Sequence, residues 1–344
     1  MAQQRRPVIL SLTSMHESGM RLLREAGTLR MASGTDPATL RKEVVGADGL
    51  IIRTGGIVDA ALMDAGKDLK VVGRHGVGYD AIDVDAATER GIQVVYTPGA
   101  NTQSVAEHVF AMMIGLSKHF PRMQAAVEAY DYHGRTRYTG RDLFGRTLGI
   151  IGFGRIGRRV GLMARTAFGM PVLYNDIVAA PPEVEEQAGA RRVGLEDLLR
   201  ASEYVTLHVP LDASTRGMVN RDSLALMRPD AILVNACRGP VVVERDVAGA
   251  LDAGKLWGYA ADVFEEEPPK PGHPLIGRPD VMLTPHSAAQ TVEGLTNMSS
   301  WVAQDVLAVL RGEFPRNPVN DPVEVEARRH KLGLAPLYVQ PEGV

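Results

Sequence analysis

Short apolar runs alternate along the chain with longer stretches in which apolar residues recur at helical spacing. Val8–Leu12, Gly49–Ile52, Lys70–Val72 and Gln93–Tyr96 read as strands, and Ser18–Ala26, Ala60–Ala65 and Asp85–Arg90 as helices between them. That alternation predicts parallel βα units, because parallel neighbours need a crossover and a helix supplies it. A second set begins near Thr147. Its predicted strands are Thr147–Ile151, Pro171–Asn175, Tyr204–His208, Ala231–Asn235, Gly258–Asp262 and Val281–Thr284, again with helices between.

A long helical pattern, Ser104–Leu116, separates the sets. Ser104 and Glu107 have the spacing of a capping box at its start. The last long helix is predicted at Thr291–Leu310. A segment returning after the second set suggests a discontinuous first domain: residues 1–100 with 290–330, around a second domain at 101–289. Residues 331–344 are read as a C-terminal tail. The chain after Asn317, rich in proline and charge, is expected to wrap loosely.

The length of 344 residues suits two domains. A formal charge of −3 and no aromatic-basic patch give no attraction for nucleic acid. The single cysteine, Cys237, excludes a disulfide framework and argues against a cysteine-based zinc site. Burial as a small apolar residue is the expectation for it. The start is basic, but the run Val8–Leu12 is too short for a secretory core. No membrane span is predicted, so the cytoplasm is the expected location. Asp80, Asp83 and Asp85 lack an EF-hand spacing and suggest helix capping before Ala86. His108, His119 and His133 show no ligand spacing. His108 is expected to be a packed or interface residue, and no metal site is predicted.

Gly152-Phe-Gly154-Arg-Ile-Gly157 follows an apolar strand and opens a helix. Gly152 permits the tight turn, Gly154 lets the backbone approach a pyrophosphate, and Gly157 lets helix and strand pack closely. The helix start offers amides and a positive dipole end to phosphates. Asp176 ends the next strand about twenty residues further on, where an acid accepts from ribose hydroxyls and repels a 2′-phosphate. The predicted cofactor is therefore NAD. The predicted class is α/β with two doubly wound parallel-sheet domains, one Rossmann-type for the cofactor, one flavodoxin-like for the substrate.

Three polar groups stand at later strand ends: Arg238 after Asn235-Ala-Cys, the acids from Asp262 to Glu267, and His286 after Thr284-Pro. In an open parallel sheet such ends meet at the ligand crevice. Oxidising a C2 alcohol leaves a proton on its oxygen, which suits histidine. A neighbouring carboxylate favours the protonated ring and fixes its tautomer. An arginine holds a carboxylate in a fork. Glu265, Glu266 and Glu267 are consecutive, and spacing alone does not choose among them.

These segments resemble the D-isomer-specific 2-hydroxyacid dehydrogenase family, from about Leu50 to about Leu310. The resemblance implies that Arg238 anchors the substrate, Glu267 partners the histidine, and His286 is the general acid/base. Asp262 resembles the aspartate that bonds the nicotinamide amide. The resemblance also implies cofactor contacts from Arg155, Ile156, His208, Pro210, Ala236, His286 and Ala289. Ser287-Ala-Ala stands where the family is usually glycine-rich.

Gly73-Arg-His-Gly-Val-Gly78 follows a strand of the first set, and its glycines allow an anion nest. The family binds the substrate carboxylate at a matching loop, so Arg74, His75, Gly76, Val77 and Gly78 are implied substrate residues. Arg53 and Arg74 look like the arginines that bind the distal phosphate in phosphoglycerate dehydrogenases, and Arg135 falls at a basic position of that group. Surface ion pairing is the alternative for both Arg53 and Arg74. The resemblance is to forms without the regulatory domain. It departs in lacking a tryptophan between Tyr130 and Tyr138 and in a bulky His75, which would narrow the pocket. Expected substrates are small anionic 2-hydroxy or 2-oxo acids, with hydroxypyruvate, glyoxylate, sulfolactate and a phosphoglycerate-like acid left open. A NAD-sensing binding protein of the co-repressor type is the alternative to an enzyme. Glu267 argues against formate dehydrogenase, which pairs its histidine with glutamine. The region Asn101–Tyr138 resembles the family's dimer contact, so a homodimer is expected.

Overall fold

The computed structural model describes residues 5–338. The chain forms two units, one from residues up to Asn101 and from Thr291 onward, the other Thr102–Gln290. The first unit has five strands, β1 Val8–Ser11, β2 Thr28–Met31, β3 Gly49–Ile52, β4 Val71–Arg74 and β5 Gln93–Val95. Their order is β2-β1-β3-β4-β5, all parallel. The second unit has β6 Leu148–Ile151, β7 Val172–Asn175, β8 Ala190–Arg192, β9 Tyr204–Leu207, β10 Ile232–Asn235, β11 Gly258–Ala261 and β12 Val281–Leu283. Their order is β12-β11-β10-β9-β6-β7-β8, again all parallel.

The sequence dictates this arrangement through unbroken apolar runs. β3, β6, β9, β10 and β11 are buried at every position. A strand reads that way when helices cover both faces of its sheet. In the second unit, Ile150 of β6 stands between Tyr174 of β7 and Thr206 of β9. The chain reverses its direction of travel across the sheet here, so the ends of β6 and β9 frame a crevice. The corresponding reversal in the first unit lies between β1 and β3.

Four expectations are corrected. The second sheet has seven strands, not six: β8 adds an edge. β2 likewise adds an edge to the first. The helix predicted from Ser104 begins at Thr102, so Ser104 lies inside its first turn and is not the cap. Glu107 instead accepts a side-chain hydrogen bond from Gln103. The segment after Asn317 is not loose. Asn320 accepts from the Val94 amide at 2.7 Å, and a helix spans Pro322–Lys331 with Val325 and Arg329 buried. Tyr338 donates to Gln93 at 2.6 Å. Residues 339–344 of the predicted tail lie outside the described residues.

Other details follow local chemistry. Asp83 caps the helix Val84–Glu89 by accepting from the Ala86 amide. Thr291 caps the helix Val292–Leu310 by accepting from Gly294. Among the described residues no helix is long and apolar enough to cross a membrane.

Candidate active site

Because all seven strands of the second unit run parallel, their C-terminal ends share one edge. Gly152 follows β6, Asp176 follows β7, His208 follows β9, Ala236 follows β10 and Asp262 follows β11, with Pro210, His286 and Ala289 in the loops beyond. Gly152 turns at φ +91°, and a Cβ there would lie 2.5 Å from the His208 carbonyl oxygen. Only glycine makes that turn without strain. The helix Arg155–Phe168 then starts with Gly154 at its cap, no side-chain cap and no acid in its first turn. Arg155, Ile156 and Gly157 supply that first turn. A Cβ on Gly154 would meet nothing within 4 Å, which leaves an open cradle beside the helix's first amides. Asp176 reaches over this loop. Its Oδ2 accepts from the Phe153 amide at 2.6 Å and its Oδ1 from Val178 at 3.0 Å. A cradle open to phosphate and a carboxylate beside it fit a dinucleotide.

His208 is held by Thr206, with Nε2 3.0 Å from Oγ1. Burial pulls its pKa down to about 3, so the ring is neutral. Cys237 is buried as expected, and burial pushes its thiol up to about 11.

The three glutamates after Phe264 face different partners. Glu265 accepts from the Glu244 amide at 3.0 Å, and Glu266 pairs with Lys270 at 2.8 Å. Glu267 alone of the three pairs with His286, Oε2 to Nδ1 at 2.8 Å. Its Oε1 accepts from the Phe264 amide at 3.1 Å, which fixes the carboxylate plane. Burial works to raise the Glu267 pKa. The hydrogen bond and charge of His286, the Phe264 amide and the Arg238 charge outweigh it, so the group lies below the usual carboxylate range. An ionised Glu267 accepts the Nδ1 proton and leaves Nε2 to exchange one.

Arg238 ends the same edge. Its Nη1 donates to the Cys237 carbonyl at 2.7 Å, and Asn235 Nδ2 donates to the Arg238 carbonyl at 2.9 Å. The next residue explains why the sequence reads Arg-Gly. A Cβ on Gly239 would fall 1.7 Å from the Phe264 carbonyl oxygen. The backbone bearing Arg238 therefore lies directly against the loop bearing Glu267.

Asp262 is buried and heavily used. Oδ1 accepts from Thr284 Oγ1 at 2.6 Å and from the Ser287 amide at 2.7 Å, and Oδ2 accepts from the Ala288 amide at 2.8 Å. Oδ2 retains capacity for a further donor such as an amide. His286 donates its own amide to the Asp262 carbonyl at 2.7 Å and adopts φ +52°. The sequence marked His108 only as a packed or interface residue, and its Nε2 lies 2.9 Å from Thr284 Oγ1. The two residues are 176 apart in sequence, and no local spacing signals that contact.

In the first unit, Arg53 follows β3 and Arg74 ends β4, on adjacent strands. Arg53 donates to the Ser14 carbonyl at 3.3 Å. Arg74 folds back along its own loop, donating to the Gly78 and Arg53 carbonyls. Of the loop amides, His75 donates to Ile52 and Gly76 to Thr97 Oγ1. Those of Val77 and Gly78 have no hydrogen bond among the described residues. The His75 side chain turns inward: it is 3 % exposed and meets Ser299 Oγ at 2.9 Å. Burial, with the charges of Arg53 and Arg74, lowers its pKa to about 4. Arg135, in the second unit, stacks over the Tyr132 ring at 4.8 Å. Among the described residues no cluster of His, Cys, Asp and Glu has metal-site geometry.

Residues 110–288, about half of the chain, match the family described as D-isomer specific 2-hydroxyacid dehydrogenase, NAD binding domain. The chain belongs to that family. It is 40 % identical over 332 residues to the D-3-phosphoglycerate dehydrogenase of Methanocaldococcus jannaschii, covering 96 % of this chain and 62 % of that one. A glyoxylate reductase structure from Paecilomyes thermophila superposes with TM-score 0.83 at 32 % identity, covering 91 % of this chain and 98 % of that one. A D-lactate dehydrogenase from Aquifex aeolicus, complexed with NAD and lactic acid, gives TM-score 0.81 at 28 % identity, covering 91 % and 98 %. The chain spans about three fifths of the length of the phosphoglycerate dehydrogenases it matches.

Proposed function

We propose that this chain is an NAD-dependent oxidoreductase acting at C2 of a small D-2-hydroxy acid or its 2-oxo partner. The single observation that carries the reading is the 2.8 Å contact between Glu267 and His286, on the sheet edge that also carries the glycine loop after β6. NAD, when bound by Gly152–Gly157 and Asp176, supplies the hydride donor or acceptor. His286 holds a proton at Nε2 and passes it to the C2 oxygen in reduction, or takes it back in oxidation. Glu267 accepts from Nδ1 and fixes the tautomer. Arg238 forks the substrate carboxylate and polarises the C2 carbonyl.

For the substrate, we propose an acid with a second anionic group, such as phosphate or sulfonate. Two arginines on adjacent strand ends and two unspent loop amides in the first unit support this. A plain hydroxypyruvate or glyoxylate reductase is the alternative that the same residues serve. We propose a homodimer, with the exposed Phe120, Val127, Tyr130 and Tyr132 covered by a second copy. A reducing compartment such as the cytoplasm suits the lone thiol.

The test is NADH oxidation over a panel of glyoxylate, hydroxypyruvate, its phosphate ester and sulfopyruvate. Turnover is expected on the panel, fastest with the doubly anionic members. Turnover on none of them, with NADH still bound, overturns the enzymatic reading in favour of a dinucleotide sensor.

A further inference from the structure

We propose that His108 and Thr284 are positioning residues that lock the turn carrying His286. The inference rests on the reading of His286 as the acid/base. Direction comes from counting protons. Thr284 Oγ1 has one, and its 2.6 Å contact with Asp262 Oδ1 uses it, because a carboxylate only accepts. The 2.9 Å contact with His108 Nε2 therefore runs the other way, and His108 donates. The chain of bonds is His108 Nε2–H to Thr284 Oγ1–H to Asp262. His108 Nε2 also lies 3.6 Å from Asp262 Oδ1, with only 20 % of its side chain exposed.

The purpose of this chain lies in the next four residues. His286 takes a left-handed backbone conformation at φ +52°, one that a non-glycine residue adopts only when its surroundings over-determine it. Asp262 supplies that constraint: its carbonyl accepts from His286, and its carboxylate accepts from Ser287 and Ala288. A carboxylate free to rotate would hold neither amide well. Thr284 pins Oδ1, and His108 pins Thr284. His108 stands on the helix Thr102–Ser117, so the lock ties the turn to an element outside the strand ends that bear Asp262 and Thr284.

The experiment compares His108→Leu, His108→Gln, Thr284→Val and Thr284→Ser in the full chain. Glutamine keeps an N–H donor near the Nε2 position, and serine keeps the hydroxyl. His108→Leu and Thr284→Val are expected to lower kcat roughly 10- to 100-fold by letting His286 drift, a larger change than any rise in the KM for NADH through Asp262. His108→Gln and Thr284→Ser recover most of that turnover. The His108→Leu/Thr284→Val double variant is no worse than either single, since both cut one shared chain. A second readout does not need turnover: the downfield proton signal of His286 Nδ1–H bonded to Glu267, assigned by its loss in Glu267→Gln. It broadens or disappears in the leucine and valine variants and persists in the glutamine and serine variants. Parental kcat and signal in His108→Leu overturn the proposal, as does a glutamine variant as impaired as leucine, or additive losses in the double variant. If the parent turns over no 2-oxo acid, the activity reading fails while the proton signal still decides the lock.

Discussion

His286 Nδ1 lies 2.8 Å from Glu267 Oε2, and the other oxygen of Glu267 is held by the backbone amide of Phe264. The ring thus presents Nε2 outward with its tautomer set. His286→Ala is expected to reduce turnover by about 10²–10⁴-fold while NADH binding, followed by fluorescence, changes little. Unchanged turnover would sink the assignment.

Glu267→Gln tests the pairing directly. A glutamine amide can donate to Nδ1 instead of accepting from it, so the tautomer of the ring is no longer set. Turnover is expected to fall by roughly 10- to 100-fold while NADH binding changes little. Parental turnover in this variant contradicts the pairing.

Asp176 has room on its oxygens for ribose hydroxyls beside the Phe153 and Val178 amides. Hydrogen bonds to a charged group are worth about 1.5–3 kcal/mol. Asp176→Ala should reduce the NAD-over-NADP preference in kcat/KM by roughly 10- to 100-fold. A parent with no preference refutes the role.

Arg53→Ala should raise the KM of phosphorylated or sulfonated acids far more than that of glyoxylate. Equal losses on all acids remove the distal-anion reading and leave the loop amides of Val77 and Gly78 as the anion contacts.

His75 and His208 predict acid sensitivity. His75 is buried and His208 half-buried, and both are neutral, with pKa values of about 4 and about 3. The unfolded chain binds these protons near pH 6.5, whereas the folded one does so only well below it. The stability they permit is complete above about pH 6.5 and falls as the pH drops toward about 4, by roughly 3 kcal/mol for His75. Urea unfolding at pH 7 and pH 5 measures it, and a His75→Gln variant should show a shallower loss. An identical slope contradicts the buried-neutral state.

Much of the fold was legible because both sheets are covered on both faces, so their inner strands are plain apolar runs. The missed strands are both edges. β2 contains Arg30 and β8 contains Arg191 and Arg192, and neither makes an apolar run because an edge is paired on one side only. The helix Pro322–Lys331 was missed for a similar reason: its buried positions are Val325 and an arginine, Arg329, which donates to the Gly91 and Ala335 carbonyls. At the site, strand ends pointed to Arg238 and His286, whereas the choice of Glu267 over Glu265 and Glu266 rested on the family resemblance, because three consecutive acids share one spacing. For His108 the sequence indicated a packed position but no partner, because Thr284 lies 176 residues away.

The contact of Gly239 with the Phe264 carbonyl has a further consequence. No side chain cushions the two backbones, so neither can shift without displacing the other. The arginine and the glutamate are in effect one rigid part, machined together. Loop grafts between relatives should succeed when residues 235–268 travel as a block and fail when only half of it is exchanged.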